Sequence, residues 1–231
     1  MALIEIEGLY KSYNKLLALN NLNLSLEGGQ IVGLLGPNGS GKTTLIKILN
    51  DLLKADRGNI LIDGKNPSIE TKEVVAYIPD RNSLPDYMKI KDLINMQADF
   101  FKDFDAHKAN SMIEDLGINT NMRFKSLSKG MGEKVQLALV MSRKAKVYLL
   151  DEPIGGVDPA ARDYILRTII SNYNPESVVI ISTHLISEIE SVLDDVIFIK
   201  NGEIVLHKSP DLIREEYAKG VDELFREVFK C

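Results

Sequence analysis

The sequence predicts an α/β fold, a parallel sheet flanked by helices, on three observations. The apolar run Ile31-Val32-Gly33-Leu34-Leu35 leads into Gly36-Pro37-Asn38-Gly39-Ser40-Gly41-Lys42-Thr43, and a helix-like pattern follows. Four apolar residues, Val147 to Leu150, end in Asp151-Glu152-Pro153. Through the second half, short apolar runs alternate with helical periodicity, the order that lays helices over a parallel sheet.

Each element has its own signal. Leu3 to Glu7, Leu22 to Leu26, Ile31 to Leu35 and Ile60 to Ile62 are short or alternating apolar runs and read as strands. After Gly41, Leu45, Ile48, Leu49, Leu52 and Leu53 fall on one helical face, with Arg57-Gly58 as the stop. From Leu84 to Arg123 the pattern is helical, carried by Leu93, Ile94, Phe100, Phe101, Met112, Ile113 and Leu116 and broken at Asp103 and Gly117; this reads as a helical insertion. A further helix from Lys129 carries Met131, Val135, Ala138, Leu139 and Ser142. Alternation then resumes with a strand from Val147 to Leu150, a helix from Pro159, a strand from Val178 to Ser182 and a helix from about Leu185. Asn201-Gly202, between Phe198-Ile199-Lys200 and Glu203-Ile204-Val205, predicts a hairpin with a type I′ turn. Beyond Pro210 the chain is helical, and Val221, Leu224, Phe225, Val228 and Phe229 form a stripe expected to pack on the chain's own core.

Composition narrows the class. At 231 residues and 45% hydrophobic, the chain is able to bury a core within one globular unit. A formal net charge of −5 leaves no broad basic surface, so no nucleic-acid partner is expected. The single cysteine, Cys231, forms no internal disulfide and fits a reducing compartment. Met1-Ala2-Leu3-Ile4-Glu5 lacks the charged-then-apolar order of a secretory signal. No apolar stretch approaches the roughly 18 to 20 residues that cross a bilayer, so any membrane role is expected through a partner.

The chemistry begins at the glycine-rich stretch, a complete G-x-x-x-x-G-K-[ST] phosphate loop. A triphosphate needs many donors at close range, and glycine backbone lets successive N–H groups turn inward with no Cβ in the way. Gly36, Pro37, Asn38, Gly39, Ser40, Gly41, Lys42, Thr43 and Thr44 form the expected nucleotide-binding segment, and a helix starting near Gly41 adds its positive dipole end. Lys42 is expected to reach the β and γ phosphates and the Thr43 hydroxyl to hold Mg2+. Asp151 and Glu152 stand at the carboxyl end of a buried strand, where doubly wound sheets bind ligands. Asp151 is expected to orient Mg2+, directly or through water, and Glu152 to polarise the attacking water as general base.

Leu127-Ser128-Lys129-Gly130-Met131, at the start of a helix, resembles the Leu-Ser-Gly-Gly-Gln signature of ATP-binding cassette (ABC) transporter nucleotide-binding subunits. With the two motifs above, the resemblance runs from about Leu3 to Leu206. It implies an α/β P-loop NTPase fold of the ABC ATPase type: a RecA-like parallel-sheet core, an N-terminal antiparallel β subdomain and a helical insertion. That would be one domain across residues 1–231, its helical part at about 84–145 and a C-terminal helical tail at about 209–231. It further implies Mg-dependent ATP hydrolysis by two chains packed head to tail around two ATPs, as a homodimer or a heterodimer with a related ATPase subunit. The pair would drive an integral membrane permease subunit and so be cytoplasmic, peripheral on the inner face of the membrane.

The same resemblance implies individual roles. Ser128 and Gly130 would face the γ phosphate held by the opposite chain, Ser128 also serving as an N-cap. Tyr13 matches the aromatic that stacks on adenine, with Tyr10 a rival. Asp158 matches the residue that crosses the interface, and Asp158-Pro159 equally reads as an N-cap followed by an N1 proline. His184 matches the switch histidine at the γ phosphate.

Two departures stand out. Asp80, after Tyr77-Ile78-Pro79, occupies the place of a glutamine that approaches Mg2+ and the membrane partner; shorter and charged, it would reach the metal directly or through water. Lys129 and Met131 replace Gly and Gln in the signature, adding a positive charge and removing an amide. Asp151 to Arg162 is similar to Ytr-type subunits of bacterial exporters, so export is expected. The alternative is a soluble ABC ATPase of DNA repair or translation. Repair types carry a long coiled coil between phosphate loop and signature and translation types two cassettes, whereas here only Thr44 to Lys125 intervenes, without sustained heptads.

Overall fold

A computed structural model describes residues 2–14 and 16–230; Cys231, the sole cysteine, lies outside them. The chain opens with β1 (Ala2–Tyr13), β2 (Leu16–Glu27) and β3 (Gln30–Leu35), then α1 (Lys42–Leu49), β4 (Arg57–Ile62) and β5 (Val75–Ile78). The helices α2 (Ile90–Phe100), α3 (Ala106–Asp115) and α4 (Lys129–Met141) follow. The remainder is β6 (Val147–Asp151), α5 (Pro159–Asn172), β7 (Val178–Thr183), α6 (Ile186–Ile189), β8 (Asp195–Lys200), β9 (Glu203–Lys208), α7 (Pro210–Tyr217) and α8 (Val221–Phe229).

Two sheets form. One has three strands in the order β2-β1-β4, all antiparallel. The other has six, in the order β5-β6-β7-β3-β8-β9, parallel except for the closing β8–β9 hairpin. Period-two alternation sends each central strand to two cores. Tyr148, Leu150, Val179, Ile181, Val196 and Phe198 face one layer, with α5 and α8. Val147, Leu149, Val178, Ile180, Ile197 and Ile199 face the other, with α1 and the antiparallel sheet. A third core holds α2, α3 and α4 together around Ile90, Leu93, Ile113 and Val135.

Register aligns the carboxyl ends of three neighbouring strands: Asp151 stands opposite Ser182, and Thr183 opposite Leu35, the residue before the phosphate loop. Side chains and loops from β6, β7 and β3 thereby open onto one edge, which positions the site.

Local structure follows the sequence signals with instructive differences. The helix after the phosphate loop ends at Leu49, earlier than Leu52 and Leu53 imply, because Asp51 turns the chain into the left-handed region at φ 51°. Leu52 is left 55% exposed, and Arg57-Gly58 begins a strand instead of stopping a helix. Gly58, at φ 103°, lies against β1 where a Cβ would meet Gly8 O at 2.5 Å. The strand β5 carried no signal of its own at four residues. Phe100 points outward, 74% exposed, whereas Phe101 lies beneath the Arg143 guanidinium, 3.8 Å from its ring centroid. The Asn201-Gly202 turn has positive φ at both residues, 50° and 81°, as a type I′ turn requires. The α8 stripe packs on the first core, with Phe225 edge-on to Phe198.

Candidate nucleotide site

The phosphate loop connects β3 to α1 and owes its shape to glycine. Gly39 and Gly41 adopt φ 81° and 115°. A Cβ on Gly41 would stand 2.6 Å from Ala18 O, and one on Gly36 would stand 2.4 Å from Ile199 O. No side chain caps α1, so its first N–H groups open toward the loop. Lys42 is 6% exposed, and its Nζ donates to Gly36 O at 2.7 Å and Pro37 O at 3.2 Å. An ammonium has three donors, so one more acceptor is accommodated. Burial lowers the Lys42 pKa, while the Glu152 and Asp151 carboxylates act to raise it.

Asp151 is 1% exposed and accepts from Ser182 Oγ at 2.6 Å and Thr43 Oγ1 at 3.2 Å, both on Oδ1. Its Oδ2 is buried with no hydrogen-bond partner, and so is Ser40 Oγ. A buried carboxylate oxygen without a donor is costly, which marks the position as one built for a further charged group. The donor set fits Mg2+: a hydroxyl and a carboxylate, all oxygen, beside a loop shaped for phosphates. Among the described residues no group of three or more His, Cys, Asp or Glu gathers as a metal cage, so phosphate and water oxygens would supply most of the shell.

Glu152 holds φ 53°, an unusual backbone for a non-glycine residue, and its N–H is anchored to Ser182 O at 3.0 Å and Ser182 Oγ at 3.1 Å. The side chain meets His184 Nδ1 through Oε2 at 2.9 Å. Since a carboxylate only accepts, Nδ1 carries the proton of that bond. His184 is exposed, following the end of β7.

Lys42, Thr43, Glu152 and His184 line one cleft of about 650 Å3, and the buried Asp151 lies behind it, bonded to Thr43. Tyr13, Leu16 and Ala18 form one end, the phosphate loop from Asn38 to Thr44 forms the floor, and Asp80, Glu152 and His184 line it further along. Tyr13 lines the cleft and Tyr10 does not. The end of β1 is held by Asp56, which accepts from Lys11 Nζ at 2.6 Å and Ser12 N at 2.7 Å; these bonds, Lys11's foremost, keep its carboxyl below the usual range. Gly36 and Pro37 sit behind the loop as the carbonyls that hold Lys42.

Other predicted residues lie elsewhere. Ser128 is exposed on a separate cavity of about 420 Å3 and accepts from Met131 N at 3.3 Å as the N-cap of α4. Gly130 is on the same helix start with open space around it. Asp158 caps α5, accepting from Ala161 N at 3.0 Å, with Pro159 next. Sequence reasoning missed Ser182, whose signal is its place two residues before His184 on the strand beside Asp151. It also missed that Lys129, Gly155 and Gly156 line the cleft of their own chain.

The chain is similar to known proteins. Residues 19–155 match the family model described as ABC transporter. The ABC transporter ATP-binding protein YtrB of Bacillus subtilis is 29% identical over 222 residues, spanning 94% of this chain and 75% of its own. The lantibiotic transport ATP-binding protein SrtF of Streptococcus pyogenes is 31% identical over 230 residues, 96% of each chain. A solved ATP-binding subunit of an ABC transporter superposes with TM-score 0.89 at 25% identity, over 98% of this chain and 99% of that one. With its phosphate loop, acid pair and signature helix in place, this chain belongs to the ABC transporter family, as an ATP-binding subunit of the ATP-hydrolysing kind.

Proposed function

We propose that the chain is one cytoplasmic ABC ATPase unit, with its helical part at about 84–145 and its tail at about 209–231, that binds ATP and Mg2+ and powers export through a separate permease. Two chains, identical or related, close head to tail around two ATPs. The carrying observation is a division of the predicted residues: Lys42, Thr43, Glu152 and His184 line one cleft, with Asp151 bonded to Thr43 behind it, whereas Ser128 opens onto another cavity. A second chain supplies the missing wall. The export direction rests on relatives named for lantibiotic transport, peptide export and lipopolysaccharide export.

Within that reading Tyr13 stacks on adenine, and Asn38 to Thr44 wrap the phosphates with Lys42 on the β and γ groups. Thr43 and Asp151, with Asp80 at the cleft edge, would hold Mg2+, which would supply neutralising charge to the phosphates when bound. Glu152 accepts a proton from the attacking water, and the His184 ring orients that carboxylate through Nδ1. Ser128 and the Gly130 N–H from the facing chain close over the γ phosphate, and Asp158 lies along the interface. Binding of ATP favours the closed pair and hydrolysis reopens it.

Glu152→Gln tests the reading. It keeps the shape and hydrogen-bonding reach but removes the base, so ATP binding persists, turnover falls at least about 100-fold and an ATP-bound dimer accumulates on a sizing column. A variant that stays monomeric and hydrolyses at the normal rate overturns it. Copurification of a membrane protein with the tagged chain identifies the permease.

A further inference from the structure

The Asn201-Gly202 turn that closes the β8–β9 hairpin does more than reverse the chain. Gly202 is buried and bonds in two directions. Its N–H donates to Ser40 O of the phosphate loop at 2.9 Å, and its carbonyl accepts from Asn20 N on β2 at 3.0 Å. The hairpin thereby ties the loop between β3 and α1 to the antiparallel sheet.

Two glycines make this junction possible, because Ala18 O on β2 lies against both. A Cβ on Gly41 would stand 2.6 Å from that oxygen, and one on Gly202 would stand 2.7 Å from it. An added Cβ on Gly202, which holds φ 81°, would also come within 2.8 Å of Leu19 Cα. Ala18 itself lines the Tyr13 end of the cleft.

The bond to Ser40 O orients more than a carbonyl. Ser40 C=O and Gly41 N–H belong to one rigid trans peptide plane, so they point in opposite directions. Holding the oxygen toward the hairpin turns the Gly41 N–H to the other side. Among the described residues that N–H has no acceptor, and Gly41 lines the cleft.

We propose that Gly202 is a positioning residue for nucleotide binding: acting through Ser40, it sets the Ser40–Gly41 peptide so that the Gly41 N–H faces a phosphate of the bound nucleotide. This rests on the nucleotide-binding reading of the cleft. Loop N–H groups cradle the phosphates that a diphosphate retains, so the turn acts on ATP and ADP alike and leaves the chemistry at the γ phosphate unchanged. A donor to a charged phosphate that is turned out of line lowers affinity about fivefold to tenfold.

The test titrates the full chain with MgADP, which allows no turnover, and adds a urea midpoint and steady-state ATP hydrolysis for each variant. Gly58→Ala is the matched control: its φ is 103° and its Cβ would stand 2.5 Å from a backbone oxygen, but the neighbour is β1 and not the loop. Gly202→Ala should weaken MgADP binding and raise KM for ATP about fivefold to tenfold, with kcat within about twofold. Gly58→Ala should lose comparable stability while its MgADP affinity changes less than about twofold. Equal affinities in the two variants, or a fall in kcat with MgADP affinity intact, overturn the proposal.

If Gly202→Ala does not fold, amide exchange in the parent decides. By reciprocity, MgADP should slow exchange of the Gly202 N–H at least about fivefold more than that of the Gly29 N–H, which bonds Ser177 O at 2.8 Å at the opposite end of β3. Equal slowing overturns the proposal. Lys42→Ala separates the two readings. If it binds MgADP as the parent does, the cleft is not the nucleotide site; if it binds weakly while Gly202→Ala matches Gly58→Ala, only the role of Gly202 fails.

Discussion

Replacing Ser182 by alanine removes one hydroxyl from the most deeply buried charge of the site. Ser182 Oγ donates to Asp151 Oδ1 at 2.6 Å and also accepts from Glu152 N at 3.1 Å. The Glu152 N–H keeps its other acceptor, Ser182 O at 3.0 Å, and Asp151 keeps Thr43 Oγ1 at 3.2 Å. The loss is therefore one short charge-assisted hydrogen bond to a carboxylate that is 1% exposed and already has an orphaned Oδ2. Hydrogen bonds to charged groups contribute about 1.5–3 kcal/mol, and the retained Thr43 bond places this one near 2 kcal/mol. Urea unfolding in EDTA should show the midpoint falling by about 0.7–1 M at an m-value near 2–3 kcal/mol/M. In an Asp151→Asn background the same substitution should cost about 1–2 kcal/mol less, because the charge it serves is gone. A loss below about 0.5 kcal/mol, or an equal loss in both backgrounds, refutes the claim that Ser182 holds the Asp151 carboxylate.

Substitutions at two further positions probe the frame around the site. Arg143 is 4% exposed and joins the α2–α3 connection to the start of β5 and the segment before it, through Asp103 at 3.0 Å, Val75 O at 2.6 Å and Glu73 O at 2.7 Å. Arg143→Met should destabilise by about 3 kcal/mol in urea, and Arg143→Lys should recover less than half of that, since an ammonium lacks the guanidinium fork; a loss under about 1 kcal/mol contradicts this role. Glu133 has a buried Oε2 without a partner, and burial raises its pKa. A carboxyl whose folded pKa is raised binds its proton more tightly when folded, so its penalty is fully present above the folded pKa and vanishes below the unfolded one. Glu133→Gln should then raise stability by about 0.5–1 kcal/mol at pH 7, the gain fading as pH falls toward 4, and thermal scans at the two pH values decide the sign.

Much of the site was legible because its chemistry is local in the chain. The phosphate loop needs consecutive N–H groups and glycines at left-handed φ, so its whole design lies within Gly36 to Thr44. The Asp151-Glu152 pair was legible from the four apolar residues before it, which mark a buried strand and its open end. Caps were legible too: Ser128 and Asp158 each accept from the N–H three residues on. Helix extents were less so. Leu52 and Leu53 continue the periodicity of α1, yet Asp51 leaves the helix, because apolar spacing records which face is buried and not where the backbone turns.

The sequence by itself determined the chemistry of this chain: a loop that cradles phosphates, a carboxylate pair beyond a buried strand, a serine at a helix start. Tertiary structure alone decided who stands beside whom. Parallel register set Ser182 against Asp151 across the 31 residues that separate them, and brought His184 to 2.9 Å from Glu152. Packing of the α2–α4 layer set Ser128 on a second cavity while leaving Lys129 lining both. The physical reason is that hydrogen-bonded register and core packing are long-range constraints, satisfied only when distant segments meet, whereas a motif encodes the groups it contains and not the neighbours it acquires.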